Sequence, residues 1–272
     1  MSAQCLICSR TLISTALLAA TLARLPGAIP QAYASNARPN VYEAVVESRG
    51  RTTPEISTVE MQAILSNGGA IVFDARPRAE YANAHIPGSI NLDERQLGRF
   101  TQTYADQSAA MVVYSNGPFC DLARSKAAEL SRQGYTNVSR YQLGLPLWRI
   151  LGNAAETTLQ GFRQIFRAGN AVIVDARERA LYATGTIPTA QSILAGEAGK
   201  AKHDRRLQYL DPNTRIVVFA DSAVEARGVA EEISRNAFPN SSYFRGTYQD
   251  LKREKFFMER PPSPYFLDGL NR

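Results

Sequence analysis

The residues best suited to chemistry lie between Val112 and Leu130, where a short apolar strand leads through a Ser-Asn-Gly-Pro loop into a helix. Backbone N–H groups in such a loop, together with the positive end of the helix dipole, bind anions. Cys120 lies where the loop becomes helix, and a thiol at a helix start ionises more readily than free cysteine. The stretch therefore predicts a site for a small anion, with Cys120 as the candidate nucleophile.

An internal repeat organises the chain. The second half repeats the strand, loop and helix at Arg215 to Ile233, without a cysteine. Other short motifs recur at a nearly constant offset, which is difficult to obtain by chance. The matching pairs are Ile71–Arg76 with Val172–Arg177, Tyr81 with Tyr182, Ile86-Pro87 with Ile187-Pro188, and Val112–Tyr114 with Val217–Phe219.

The repeat predicts two α/β domains. Apolar runs such as Ala70–Phe73 are typical of strands buried on both faces of a parallel sheet, and helical patterns separate them. With 272 residues, 44% of them hydrophobic, the chain can build two cores of ordinary size. The predicted organisation is an export signal (1–34), a leader (35–55) with one possible strand at Val41–Val46, the two domains (56–151 and 152–256) and a tail (257–272).

The first repeat resembles the rhodanese-like domain. Asp74-Ala75-Arg76, Glu80-Tyr81 and Ala84–Asn91 are similar to the family signature D-x-R…E-[FY]…G-H-I-P-G-A-x-N. Gly134–Val138 and the pair Gly144…Trp148 resemble the second half of the family pattern, and the second repeat matches more weakly. The resemblance covers most of the chain from Ile56 to about Arg253 and implies tandem domains, each a parallel sheet flanked by helices.

The resemblance also implies a chemistry that this sequence departs from. Rhodaneses carry sulfur as a persulfide on a cysteine that directly follows the strand. That position is Ser115 in the first repeat and Ala220 in the second. Serine cannot hold a persulfide, and alanine has no nucleophile. The expected anion-binding loop comprises Ser115, Asn116, Gly117, Phe119, Cys120 and Arg124.

Cys120 admits two interpretations. The loop resembles a Y-C-x-G-P-x-C variant of the family, in which Cys120 is the second cysteine and carries sulfur or senses oxidants, assisted by Arg124. Alternatively, Cys120 is a small apolar side chain that fills space under the loop. A protein-phosphatase site is disfavoured, because it needs C-x5-R and the sequence has C-x3-R.

Five other polar residues are predicted to be structural. The duplicated pairs Asp74/Arg76 and Asp175/Arg177 are typical of ion pairs that hold a loop. His85 lies beside a Pro-Gly turn, and Thr186 replaces it in the second repeat, which disfavours a catalytic base.

Several function classes are disfavoured. The net charge of +6 comes without a basic cluster interleaved with aromatics, so we expect no nucleic-acid partner. Two histidines and one cysteine in the mature chain, far apart in sequence, supply too few ligands for a metal site. Nucleotide-binding glycine motifs are missing from the sequence, so we expect no cofactor.

The N-terminal segment predicts export. Leu12–Leu22 is an apolar run, and Ala32-Tyr33-Ala34 before Ser35 is a signal-peptidase motif. The run is shorter than the ~20 residues of a spanning helix. We expect cleavage, a periplasmic location in a bacterium and no stable membrane insertion afterwards. The alternatives are an uncleaved membrane anchor and an organellar transit peptide.

Two functions follow from these observations. The first is a catalytically degenerate module that binds a small sulfur-containing anion, a thiol compound or a protein partner. The alternative is a sulfurtransferase that moves sulfur from thiosulfate or a persulfide to a thiol or cyanide, with Cys120 as the carrier.

Overall fold

The computed structural model describes residues 53–254 apart from 94–96, 98 and 208–209. The predicted export signal, the possible strand at Val41–Val46 and the C-terminal tail lie outside the described residues. Within the described ranges, no helix is both long and apolar enough to cross a membrane.

The first domain is an α/β layer structure built on one parallel sheet. Its strands lie in the order β2-β1-β3-β4. Its elements, in chain order, are α1 (Thr58–Asn67), β1 (Ile71–Asp74), α2 (Arg78–Asn83), β2 (Ile90–Asn91), α3 (Phe100–Thr103), β3 (Met111–Tyr114), α4 (Leu122–Arg132), β4 (Val138–Tyr141) and α5 (Gly144–Ile150).

The second domain repeats this architecture, with strand order β5-β9-β8-β6-β7 in a second parallel sheet. Its elements are β5 (Ala155–Thr157), α6 (Leu159–Ala168), β6 (Val172–Asp175), α7 (Arg179–Thr184), β7 (Gln191–Ser192), α8 (Ala198–His203), β8 (Ile216–Phe219), α9 (Ala223–Arg235), β9 (Ser241–Phe244) and α10 (Tyr248–Arg253). The prediction of two parallel sheets flanked by helices is confirmed.

The two sheets correspond more closely than the sequence indicated. In the second sheet, β5 lies at the edge beside β9. In the first sheet, Pro54–Ile56 takes the corresponding place beside β4, because the Ile56 N–H donates to the Arg140 carbonyl (2.9 Å) and the Arg140 N–H donates to the Pro54 carbonyl (2.8 Å). The end of the predicted leader therefore extends the first sheet.

Alternating side chains on β3 divide the core of the first domain into two layers. Met111 and Val113 pack with residues of α3 and α4 on one face. Val112 and Tyr114 pack with residues of α1 and α5 on the other, and that cluster includes the fully buried Trp148. Both faces are covered because side chains alternate along a strand and every residue of β3 is buried.

Capping residues define where the first helix of each domain begins and ends. Ser57 forms a capping box with Glu60 at the start of α1. Thr158 caps α6 through the Gly161 N–H. Each helix ends at a glycine with positive φ, at Gly68 (66°) and Gly169 (60°).

Strand β5 joins the two domains. Its Glu156 forms reciprocal backbone hydrogen bonds with His85 of the first domain, at 2.8 and 2.9 Å. Its Ala155 packs in the α1–α5 face of the first core. Helices α2 and α6 lie so close that a Cβ atom on Gly161 would come within 1.8 Å of the Ala82 carbonyl oxygen.

Alanine substitutions at two helical glycines should have opposite effects on stability, because only one of them lies at this close approach. We expect Gly161→Ala to lower the free energy of unfolding by about 1–3 kcal/mol, because the new methyl group meets backbone across the domain junction. Gly228→Ala in α9 is the matched control. It meets no atom within 4 Å, so it should raise stability by about 0.5–1 kcal/mol through helix propensity. Urea unfolding of both variants measures the difference, and equal effects would contradict the tight junction.

Candidate functional site

The candidate site is the loop that joins β3 to α4. Gly117 has a φ of 98°, a conformation that favours glycine. Gly144 at the start of α5 packs against the loop, since a Cβ atom there would lie 2.3 Å from the Ser115 carbonyl oxygen. Both positions therefore require glycine: Gly117 because of its positive φ, and Gly144 because a side chain would collide with the loop.

Ser115 lies at the base of the loop. Its residue surface is 2% exposed, and its carbonyl accepts a hydrogen bond from the Leu145 N–H at 3.1 Å. Its hydroxyl donates weakly, at 3.4 Å, to the Cys120 carbonyl. The position that the family gives to cysteine thus holds a hydroxyl that points back into the loop.

Cys120 lies at the end of the same loop, directly before the N-cap of α4. It is half-buried and carries no disulfide. Cys120 and Ser115 both line a small cavity of about 10 Å³, about the volume that one water molecule needs. The lining residues are Ser115, Gly117, Pro118, Cys120, Asp121, Ala123, Arg124, Arg140 and Gln142.

Backbone donors remain free in this loop. The Cys120 N–H donates to the Gly117 carbonyl at 3.0 Å. Those of Asn116, Gly117 and Phe119 meet no acceptor among the residues that the structure describes. Unpaired N–H groups in a tight loop at a helix N-terminus are the donors that an anion requires.

The charged walls of the cavity already have acidic partners. Arg124 forms an ion pair with Asp121 within the first turn of α4. The buried Arg140 pairs with Glu55 at 2.6 Å. Attraction of an anion to this loop therefore depends more on the backbone donors than on an uncompensated positive charge.

The remaining predicted loop residues face outward. Phe119 is 56% exposed. The Asn116 side chain is exposed and donates to Glu80 of α2 at 2.9 Å. The structure therefore brings Ser115, Gly117, Cys120 and Arg124 to one cavity, whereas the side chains of Asn116 and Phe119 are exposed and do not line it.

Asp74 and Arg76 form a buried pair at the end of β1. The guanidinium donates to both carboxylate oxygens, at 3.0 and 2.6 Å, and also to the Ala84 carbonyl at 2.6 Å. Burial alone lowers the pKa of Arg76, but the hydrogen bonds and charge of Asp74 outweigh it and raise that pKa. Asp175 and Arg177 repeat the arrangement, with the Gly185 carbonyl as the third partner.

The buried carboxylate has a second donor that the sequence analysis missed. In the first domain, the Tyr114 hydroxyl donates to Asp74 at 2.7 Å and accepts from the Ile86 N–H at 2.9 Å. In the second domain Phe219 replaces the tyrosine, and the Thr186 hydroxyl donates to Asp175 at 2.6 Å. Tyr114 and Thr186 therefore have the same role in the two repeats, and the replacement of Tyr114 by Phe219 was visible in the sequence.

His85 lies at the domain junction, and none of its surface is exposed. Its Nδ1 lies 2.8 Å from the Tyr81 carbonyl, its ring stacks on that of Tyr81, and its Nε2 lies 3.3 Å from a Glu156 carboxylate oxygen. It is not among the residues that line the loop cavity. Its role as a structural residue remains a prediction.

In the corresponding loop of the second domain, alanine occupies the position of Ser115. Ala220 is fully buried in an apolar cluster, and its carbonyl accepts from the Tyr248 N–H at 2.8 Å. This bond corresponds to the one between Ser115 and Leu145. Arg177 lies 3.6 Å from the centre of the Tyr248 ring, where a cation–π contact holds the guanidinium.

The carboxylate network predicts the effect of removing one hydroxyl. Tyr114→Phe should lower the free energy of unfolding by about 1–3 kcal/mol, because Asp74 loses a donor and the buried Ile86 N–H loses its acceptor. Tyr104→Phe is the control: its hydroxyl has no partner among the described residues, so the change should stay within about 0.5 kcal/mol. Urea unfolding compares the two, and similar losses would contradict the network.

Comparisons with known proteins agree with the fold and the repeat. The family model for the rhodanese-like domain matches residues 57–151 and again 158–254. Thiosulfate sulfurtransferase GlpE of Ectopseudomonas mendocina is 37% identical over 97 residues, which cover 35% of this chain and 83% of that protein. An HTH-type transcriptional regulator of Mycobacterium tuberculosis is 29% identical over 126 residues, 46% of this chain and only 54% of the regulator.

Solved structures include similar chains at low identity. The thiosulfate sulfurtransferase of Pseudomonas aeruginosa is 21% identical, with 74% of this chain and 42% of that chain covered and a TM-score of 0.33. The 3-mercaptopyruvate sulfotransferase SseA of Escherichia coli is 19% identical, with 72% and 99% covered and a TM-score of 0.34. The family assignment rests on the two family-model matches and on the similarity to GlpE. The chain belongs to the rhodanese-like family and contains two tandem rhodanese-like domains.

Proposed function

We propose that this protein is an exported rhodanese-like module that binds without catalysing sulfur transfer. Its first domain would hold a small sulfur-containing anion, a thiol compound or a thiol-bearing protein at the loop from Ser115 to Cys120. One observation carries the proposal: serine occupies the base of a loop that still offers free backbone donors.

The chemistry of the hydroxyl supports the loss of catalysis. Sulfur transfer needs a thiolate that attacks the donor and holds the outer sulfur as a persulfide. An alcohol is almost un-ionised near neutral pH and is a weak nucleophile unless a neighbouring base activates it. Among the residues that the structure describes, the Ser115 hydroxyl contacts no such base and donates instead to a backbone carbonyl.

The similarity to GlpE supports the class of ligand. Proteins of that name are thiosulfate sulfurtransferases, so the sequence similarity favours a sulfur oxyanion as the ligand. The cavity is too small to enclose a whole thiosulfate. The anion would therefore place one atom in the loop and keep the rest at the exposed surface.

A second candidate function rests on Cys120, which lines the same cavity as Ser115 at the start of α4. In this alternative the Cys120 thiolate attacks the outer sulfur of thiosulfate. An S–S bond forms on the protein, and sulfite leaves with the electron pair of the broken S–S bond. A thiolate or cyanide then removes the outer sulfur and regenerates the Cys120 thiolate.

A thiosulfate:cyanide sulfurtransferase assay on the full chain distinguishes the two functions. We expect the parent protein and Cys120→Ser to show no turnover above background. Ser115→Cys should gain activity, because it restores a thiol at the base of the loop. Ala220→Cys is the matched control and should stay inactive, because its side chain lies in an apolar cluster.

Two results would decide against the binding module. Activity in the parent that disappears in Cys120→Ser would establish an enzyme with a displaced nucleophile. Inactivity of Ser115→Cys, with its fold intact by circular dichroism, would show that the loop no longer binds the donor.

A further inference from the structure

The sequence Ser-Asn-Gly occurs twice in the chain, once at the end of a helix and once in the candidate loop. The first copy is Ser66-Asn67-Gly68, and the second is Ser115-Asn116-Gly117. Asparagine before glycine is chemically labile, because the glycine nitrogen can attack the asparagine side chain and no Cβ atom obstructs the approach. The fold holds the two copies in different ways.

The attacking nitrogen is hydrogen-bonded in one copy and unpaired in the other. Gly68 is the C-cap of α1, and its N–H donates to the Ile64 carbonyl. The Gly117 N–H meets no acceptor among the described residues. A nitrogen that donates a backbone hydrogen bond must give up that bond before it can attack. The Gly117 nitrogen has no such bond to lose.

Charged groups face both ends of the Asn116 amide. Its Nδ2 donates to Glu80 at 2.9 Å, and its Oδ1 accepts from Arg76 in a long contact of 3.5 Å. Arg76 and Glu80 also lie 3.7 Å apart as an ion pair, so together they fix the direction of the amide. A guanidinium beside the amide oxygen stabilises the negative charge that this oxygen acquires when a nucleophile attacks.

The Asn67 side chain has no comparable neighbours. It is exposed, and its amide forms no hydrogen bond with any residue in the described ranges. Asn67 is therefore an internal reference for Asn116. The three residues are the same, but the glycine nitrogen is held by a helix and no arginine bonds the amide oxygen.

We propose that Asn116 is a site of spontaneous deamidation, which converts it to aspartate or isoaspartate in the folded protein. The Gly117 nitrogen bonds to the side-chain carbonyl carbon of Asn116 and gives its proton to water. The bond from that carbon to Nδ2 breaks, and Nδ2 leaves as ammonia with the bonding electron pair and a proton from water. Because Asn116 is exposed, water then reaches the cyclic imide and opens it at either carbonyl. Neither an oxidant nor a reductant takes part.

The product carries a new negative charge at the loop. Aspartate places a carboxylate where the amide donated to Glu80, so the contact between α2 and the loop becomes repulsive. Isoaspartate also adds one carbon to the main chain between residues 116 and 117, which displaces their N–H groups. Both changes oppose the binding of an anion. This consequence rests on the proposed function, whereas the deamidation itself does not.

Peptide mapping by mass spectrometry on the full chain tests the reaction. The folded protein is incubated at mildly alkaline pH, and conversion of amide to acid is followed at each asparagine. We expect Asn116 to react about three- to tenfold faster than Asn67, because one backbone hydrogen bond changes a barrier by this order. Conversion of Asn116 that is no faster than that of Asn67 would overturn the proposal.

The same incubation in urea is the matched control. Unfolding removes the helix around Asn67 and the contacts of Asn116, so the two rates should converge. A difference that keeps its size in urea would belong to the next residues along the chain, Gly69 and Pro118, and would contradict the structural account.

Anion affinity provides the second readout. Asn116→Asp carries the charge of the product from the start and should weaken thiosulfate binding about fivefold at low ionic strength. Asn67→Asp is the control and should keep the parental affinity. Equal affinities for Asn116→Asp and the parent would contradict the effect on binding. If the parent binds no thiosulfate, the proposed function fails, while the peptide map still decides whether Asn116 deamidates.

Discussion

The buried carboxylate at the end of β1 is the interaction on which the rest of the first domain depends. Asp74 accepts from Arg76 and from the Tyr114 hydroxyl, so it ties β1 to β3. Arg76 also bonds the Ala84 carbonyl, which holds the turn that leads to the domain junction. Leaving such a buried charge unpaired costs about 3–5 kcal/mol. The strand ends, the turn and the loop therefore keep one relative arrangement.

The two domains show that this scaffold can be conserved within a chain while the site changes. Both keep the Asp–Arg pair and the loop contact with the following helix. The donor to the carboxylate differs, as Tyr114 in one and Thr186 in the other. The residue at the family's nucleophile position differs too, with a polar Ser115 in the first domain and an apolar Ala220 in the second. We interpret the first loop as a binding site and the second loop as a part of its domain's packed core.

The sequence predicted the features that local patterns encode. Apolar runs located the main strands, and the repeat predicted two parallel sheets flanked by helices. Features that depend on residues distant in sequence were not predicted. The pairing of Pro54–Ile56 with β4 and the contact of Glu156 with His85 join such segments, so no local pattern could reveal them. The hydroxyl that donates to the buried carboxylate comes from Tyr114 in the first domain and from Thr186 in the second. The sequence shows that these positions differ between the repeats, but only the contacts with Asp74 and Asp175 show what the difference does.

The central claim is that the first loop binds a sulfur anion without accepting sulfur. Titration of the full chain with thiosulfate, followed by backbone amide NMR and by intact mass, tests it most directly. The account predicts saturable shifts at the amides of Asn116, Gly117 and Phe119, with an unchanged protein mass. A mass gain of one sulfur atom that is lost in Cys120→Ser would contradict it, and so would loop amides that do not respond.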